Sequence, residues 1–170
     1  LKSVAQKQKI TGSDGEDKDI VALARDETDA VVQVFFVRDG RLIGREHYYM
    51  THVDGCEEAQ ILEDFVKQFY AGTPFIPKEL MLQEEIADID ILEKWLSSRK
   101  QERVYIRVPK KGTKEKLVEL AAQNAHLVLS QDKERIKREE GRTIGAVREI
   151  AALLDLEDVS RMEAFDISNI

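Results

Sequence analysis

Apolar residues in the first third of the chain fall in short, dense runs separated by polar turns, a pattern that predicts a sheet. The run from Ala30 to Val37 is apolar or β-branched at nearly every position, as in a strand buried on both faces. Asp39-Gly40 follows it and is a strong hairpin signal, so Leu42 to Met50 is predicted as the return strand. The run 20–24 is predicted as the first strand, and the polar residues 1–18 as a linker from an upstream module.

After residue 56 the spacing of apolar positions changes to that of amphipathic helices. Between Glu57 and Tyr70 apolar residues recur at intervals of three and four, and short apolar strands alternate with helices from there onward. Thr113 is a predicted helix cap, because its hydroxyl can accept a hydrogen bond from the first turn. The predicted elements are helix 57–70, strand 80–82, helix 88–98, strand 104–108, helix 113–129 and a separate charged helix 132–154.

The predicted element order is β-β-β-α-β-α-β-α. Three strands joined by tight turns predict an antiparallel meander, and later strands that each follow a helix predict parallel crossovers. This is the order of the α/β RNase H-like fold, a mixed sheet flanked by helices, and residues 19–130 account for it. Residues 131–159 are then predicted as a helical connector, and residues 160–170 as the first strand of a further domain.

Charge is divided along the chain more sharply than the net charge of −7 suggests. Residues 54–96 hold eleven acidic residues and three lysines, whereas residues 99–116 hold eight basic residues and two acidic ones. This division is typical of a nucleic-acid or acidic-partner face, and equally of an ordinary solvated surface. No apolar run approaches the roughly 20 residues that cross a bilayer, and one cysteine, Cys56, leaves no internal disulfide. We expect a cytoplasmic protein without a membrane partner.

The first predicted strand lacks the carboxylate that a nuclease of this fold needs. RNase H-like nucleases carry their first metal-binding Asp midway along this strand, where the chain has the aliphatic residues 21–23, which cannot bind a hard cation. Asp19 and Asp26 lie at its ends, where they would miss the metal. Glu84 and Glu85 follow the fourth strand, a position where such folds can place a second ligand, but two surface acids in a loop is the preferred interpretation. Residues 19–130 are therefore predicted to be a catalytically dead copy.

Other chemistry-bearing residues give weaker indications. His47, His52 and His126 are too dispersed to predict a metal site, and Cys56 has no nearby histidine to activate it. The stretch from Pro109 to Lys114 lies between a predicted strand and a helix N-terminus, a favourable place for a phosphate, but it lacks the spacing of a nucleotide-binding loop. Basic residues here are predicted to contact a DNA backbone without reading sequence: Arg103, Arg107, Lys110, Lys111 and Lys114.

The last residues are the most specific feature. Asp166 lies on an apolar strand with Met162, Ala164, Phe165 and Ile167, the form of the first strand of an RNase H-like nuclease with its leading carboxylate. Together with other stretches in the same order, this strand resembles the UvrC family of excinuclease proteins, which act in bacterial nucleotide excision repair, over nearly the whole chain. The matching stretches are 30–44, 65–70, 109–112, 120–125 and 161–169.

The resemblance implies a longer parent protein. It would have an N-terminal GIY-YIG nuclease that makes the 3′ incision, a UvrB-contacting segment, a C-terminal RNase H-like nuclease that makes the 5′ incision, and a helix-hairpin-helix module. This chain would begin after the UvrB-contacting segment and end inside the first strand of the truncated 5′ endonuclease domain. Asp166 would be the first catalytic carboxylate and one ligand of Mg²⁺ or Mn²⁺ in the intact parent, with the other ligands beyond Ile170. No cofactor is expected for this segment alone.

Three functions follow as expectations. In the first, this segment is a non-catalytic part of a DNA repair endonuclease, with a role in the SOS response, that positions the 5′ nuclease on damaged double-stranded DNA held by UvrB. In the second, it is a scaffold that contacts UvrB or other UvrC domains and no DNA. In the third, it is an independent nuclease, whose metal-dependent nicking would be abolished by Glu84→Ala.

Overall fold

One mixed sheet forms the centre of the described part of the chain. The computed structural model describes the backbone of residues 16–154 and 167–169 and the side chains of residues 16–133. Its strands are β1 (Lys18–Arg25), β2 (Asp29–Arg38), β3 (Arg41–Thr51), β4 (Glu79–Leu82), β5 (Tyr105–Arg107) and β6 (Ile167–Asn169). They lie side by side in the order β5-β4-β1-β2-β3-β6.

The pairing of the strands is the one expected of an RNase H-like domain. β1, β2 and β3 pair as an antiparallel meander, and β4 and β5 add in parallel beyond β1. Asp39 and Gly40 have φ angles of 54° and 76°, the positive values that a tight two-residue hairpin requires. The predicted α/β RNase H-like mixed sheet is therefore confirmed.

Helices cover both faces of the sheet. These are α1 (Glu58–Ala71), α2 (Ile89–Lys100) and α3 (Gly112–Leu154). Because successive strand residues point to opposite faces, Val21 and Leu23 of β1 pack with α1 and α2 in one apolar cluster, whereas Ile20 and Ala22 pack with α3 in another. This two-sided burial explains why β1 and β2 are apolar on both faces.

The prediction of two separate helices after β5 is wrong. α3 runs without a break for 43 residues, through the boundary predicted near residues 130 and 131. Residues 113–140 hold no proline or glycine, and the Ser130 hydroxyl donates to the His126 carbonyl one turn earlier at 3.0 Å, so nothing near residue 130 stops the helix. α3 also begins at Gly112, one residue before the expected cap Thr113.

The C-terminal strand pairs with the sheet already described. β6 lies antiparallel to β3, with Ile167 opposite Met50 and Asn169 opposite Tyr48. Asp166, the N-terminal linker through residue 15 and the rest of the predicted strand 160–166 lie outside the described residues, so the expected further domain stays a prediction. No helix in the described ranges is long and apolar enough to cross a membrane.

Candidate nucleic-acid interface

The predicted DNA-contacting residues lie at the β5 edge of the sheet and in the connection to α3. Arg103 precedes β5 and Arg107 ends it. Lys110 and Lys111 lie in the loop that follows, and Lys114 lies in the first turn of α3. The structure thus places all five on one continuous stretch, and contacts tie three of them together.

Tyr105 joins the two arginines. The guanidinium carbon of Arg103 lies 4.8 Å from the centre of the Tyr105 ring, and that of Arg107 lies 4.5 Å from it. A cation over an aromatic face is attracted by the ring's electron density, an effect of about 0.5–1 kcal/mol at an exposed position. Sequence reasoning did not single out Tyr105, although the alternation Arg103-x-Tyr105-x-Arg107 on a strand places these side chains on one face.

A buried carboxylate joins Arg107 to Lys114. Glu79, at the start of β4, is only 5% exposed. Its carboxylate lies 3.1 Å from the Arg107 Nε, 3.3 Å from the Lys114 Nζ and 3.9 Å from the Nζ of the fully buried Lys18. Two partly exposed cations, Arg107 and Lys114, share this one carboxylate, so the edge keeps a positive charge that Glu79 does not balance.

The division of charge along the sequence is not a division in space. Glu79 and Glu93 belong to the acidic stretch, yet each pairs with the basic one; Glu93 lies 3.2 Å from Arg103 and also accepts the amide of Ile106 at 2.7 Å. The pairing of β4 with β5 produces this mixing, because it sets Glu79 directly opposite Tyr105. The sequence pattern did not reveal it.

Two other basic residues of the same stretch hold the fold together. Arg99 donates to the carbonyls of Tyr70 and Thr73, and Lys100 donates to the carbonyl of Ile76 at 2.8 Å. They thereby fix the end of α2 against the loop after α1. Their positive charge is committed to main-chain oxygens, so they contribute less to an interface than their number suggests.

Asp19 is the acidic residue of β1 nearest to a catalytic position, and its surroundings do not fit a metal ligand. It is 1% exposed. The Tyr70 hydroxyl donates to one carboxylate oxygen at 2.5 Å, and Arg38 donates to the other at 2.8 Å. Burial raises the pKa of the Asp19 carboxyl above its ordinary value, and the Arg38 charge and the Tyr70 hydrogen bond partly oppose that rise. Because Tyr70 and Arg38 each donate to one oxygen of the Asp19 carboxylate, neither oxygen is open to a metal ion.

Glu84, the position considered for a second ligand, lies next to another acid. Its carboxyl lies beside that of Glu58 at the start of α1, so the two acids face each other and not a shared cation. Burial raises the pKa of Glu84, the Glu58 contact raises it further, and nearby Lys110 lowers it. Two carboxyls without a third donor do not form a two-metal site. Among the side chains that the structure describes, no three His, Cys, Asp or Glu residues are placed to hold a metal ion.

The remaining candidates belong to no group of three possible metal ligands among the described residues. His47 lies on β3, His126 lies on α3, and His52 follows β3 with a φ angle of 59°. Cys56 is a half-buried free thiol. Asp166, expected to be the first carboxylate of the 5′ nuclease, lies outside the described residues.

Comparisons with known proteins place the chain in one family. The family model described as the UvrC Ribonuclease H-like domain matches residues 17–132. UvrABC system protein C of Lachnospira eligens is 56% identical over 169 residues, and that of Clostridioides difficile is 46% identical over 172 residues. These matches cover 99% and 100% of this chain and 28% of each relative. The chain thus spans little more than a quarter of the length of these curated relatives.

Proposed function

Because the chain belongs to the UvrC family, which its RNase H-like domain identifies, we propose that it is the central part of a DNA-incising protein of nucleotide excision repair. In this proposal the domain itself does no chemistry. It positions the 5′ nuclease that follows it on damaged DNA held by UvrB, and it contacts DNA phosphates without reading bases. In the intact parent, Asp166 would contribute one ligand to the Mg²⁺ or Mn²⁺ of that nuclease.

The state of Asp19 supports a non-catalytic domain. A metal ligand of this fold needs a carboxylate that is open to the cation, whereas Asp19 is buried and bound to Arg38 and Tyr70. The middle of β1 is aliphatic on both faces. If this chain nicked DNA and Glu84→Ala abolished the nicking, that result would instead support a function as an independent nuclease.

The observation that carries the DNA contact is the arrangement of cations around Glu79 and in the adjoining loop. The Arg107 and Lys114 side chains are 53% and 42% exposed although they pair with Glu79. This exposure lets a phosphate reach both cations while their pairs with the buried Glu79 stay in place. Lys110 and Lys111 add two further charges beside them, and Lys111 is exposed. Arg103 is the weakest of the five candidates, because Glu93 balances its charge.

The test is binding of this chain to a short fluorescent duplex, measured by anisotropy across a salt series. If Arg107, Lys110, Lys111 and Lys114 each neutralise a phosphate, the slope of log K against log salt should be about −3.6. The double variant Lys110→Glu, Lys111→Glu should lose most of the affinity and flatten the slope. Binding should be the same for duplexes of different sequence.

A matched control separates a local contact from an effect of net charge. Lys111→Glu and Arg45→Glu each change the charge by the same amount, but Arg45 lies on β3, separated from β5 by three strands of the sheet. The proposal requires a loss of affinity for Lys111→Glu and little change for Arg45→Glu. Equal losses, or a slope that the double variant leaves unchanged, would contradict it.

The alternative function is a scaffold that contacts UvrB or other UvrC domains and no DNA. One observation favours it, namely that carboxylates of the same chain already pair with Arg103, Arg107 and Lys114. Under this alternative the duplex does not bind even at low salt, and the chain is instead retained by UvrB.

A further inference from the structure

The outer edge of β3 is only partly covered. β3 has 11 residues, and β6 pairs with three of them, from Tyr48 to Met50. Within the part of the chain that the structure describes, no strand lies on the outer side of the segment 41–47. A sheet edge of this kind is a ready template for another extended chain, which adds to it through main-chain hydrogen bonds.

A polar hollow lies next to this segment, between β3 and α3. Its volume is about 500 Å³. Arg45, His47 and Gln33 line it from the sheet, and Asn124 and Gln131 line it from α3. The rim includes Leu127, which is 53% exposed, so the hollow opens to solvent. It is large enough for a side chain from a strand added to the edge.

His47 provides the most specific observation. Its Nε2 atom is buried and has no hydrogen-bond partner among the described residues. Buried polar atoms are nearly always hydrogen-bonded, so this nitrogen is available to a polar group that enters the hollow. Gln33, which lines the same hollow, does not hydrogen-bond to the His47 Nε2; its amide nitrogen donates to the Glu46 carbonyl at 3.0 Å.

The geometry of the strand determines which side chains of an added strand would enter. Tyr49 packs against Ala125 and Leu129 of α3, and strand residues alternate between faces, so His47 and Arg45 lie on the same face. Every second side chain of an added strand would point to that face and into the hollow. The exposed Ile43, at 48%, offers an apolar contact further along the same edge.

Charge determines the chemistry of the occupant. Arg41 and Arg45 are exposed on this edge, and His47 can donate from Nε2. A carboxylate in the hollow would accept from both His47 and Arg45, and hydrogen bonds between charged groups are the strong ones. We infer that the segment 41–47 of β3 docks an extended acidic peptide, which adds antiparallel or parallel to the edge and places one carboxylate in the hollow. The proposal is independent of the DNA contact at the opposite edge.

The test uses two short fluorescent peptides of alternating threonine and valine, one with a central glutamate and one with a central glutamine. The glutamate peptide should bind about tenfold more tightly, which corresponds to one charge-assisted hydrogen bond. Amide hydrogen exchange should slow in residues 41–47 when it binds. Arg45→Gln should abolish the difference between the two peptides.

Lys111→Gln is the matched control, since it removes one exposed positive charge at the other edge of the sheet and should leave the preference for glutamate intact. Arg45 is exposed, so its variant should keep the unfolding midpoint of the parent. Equal affinity for both peptides would overturn the proposal, as would slowed exchange outside the β3 edge or no binding of either peptide.

Discussion

The hydrogen bond from the Tyr70 hydroxyl to the Asp19 carboxylate can be removed by one substitution, Tyr70→Phe. Tyr70 is fully buried and its oxygen lies 2.5 Å from Asp19. A hydrogen bond to a charged group contributes about 1.5–3 kcal/mol, and its loss in the interior leaves the carboxylate under-solvated. Because Arg38 still holds the other oxygen, we expect the free energy of unfolding to fall by about 2 kcal/mol at neutral pH.

The cost of Tyr70→Phe should depend on pH in a defined direction. The folded pKa of Asp19 is raised above its ordinary value of 3.8. Its contribution to stability is therefore fully present below the unfolded pKa and is lost as pH rises through the folded pKa. The Tyr70 hydrogen bond opposes that rise, so its removal raises the folded pKa further. The substitution should cost about 1 kcal/mol where Asp19 is protonated, as for a neutral hydrogen bond, and more at neutral pH.

Urea unfolding at several pH values measures both the free energy of unfolding and its dependence on pH. It can be followed by the fluorescence of Trp95, the only tryptophan of the chain. Tyr48→Phe is the matched control, because Tyr48 is half-buried and packs in the neighbouring aromatic cluster with Phe65 and Phe69. Equal costs for the two variants would refute the reasoning. A cost for Tyr70→Phe that shrinks as pH rises would refute it as well.

Two further substitutions test the buried charge and the entry to α3. Glu79→Gln should lower the free energy of unfolding by about 3 kcal/mol, since it removes the carboxylate next to the fully buried Lys18. Urea unfolding measures this loss. A loss no larger than that caused by the exposed Glu119→Gln would contradict the prediction. Gly112→Ala should cost about 1 kcal/mol, because φ is +80° and an added Cβ meets nothing within 4 Å, so only backbone strain acts. Gly72→Ala, at a φ of −103°, should cost less than Gly112→Ala in the same measurement.

The fold is largely predictable from the sequence because its strands are locally encoded. The run from Ala30 to Val37 and the Asp39-Gly40 turn carry their own periodicity and turn chemistry, and the order of elements restricts the topology. The predicted end of a helix near Leu129 is wrong, and the reason is again local. A fall in apolar content does not end a helix where the sequence has no proline or glycine to terminate it.

The site was harder to predict because its contacts join distant parts of the chain. Glu79 meets Arg107 and Lys114 only through the pairing of β4 with β5, and Asp19 meets Tyr70 across 51 positions in sequence. Charge runs and strand positions identify candidate residues, but they do not predict which side chain will contact each candidate in the folded protein. The positions of the five basic residues were therefore predictable, whereas their carboxylate partners were not.

The unbroken helix α3 has a geometrical consequence for any segment that follows it. At 1.5 Å and 100° per residue, its 43 residues extend about 64 Å and fix the direction in which the chain leaves Leu154. The number of residues also sets the rotation about the helix axis at which the chain leaves α3. Removal of seven residues would change that rotation by only about 20°, whereas removal of two would change it by about 160°. The number of residues in α3 therefore defines both the orientation and the distance of a following segment. A small insertion would change its orientation much more than its distance.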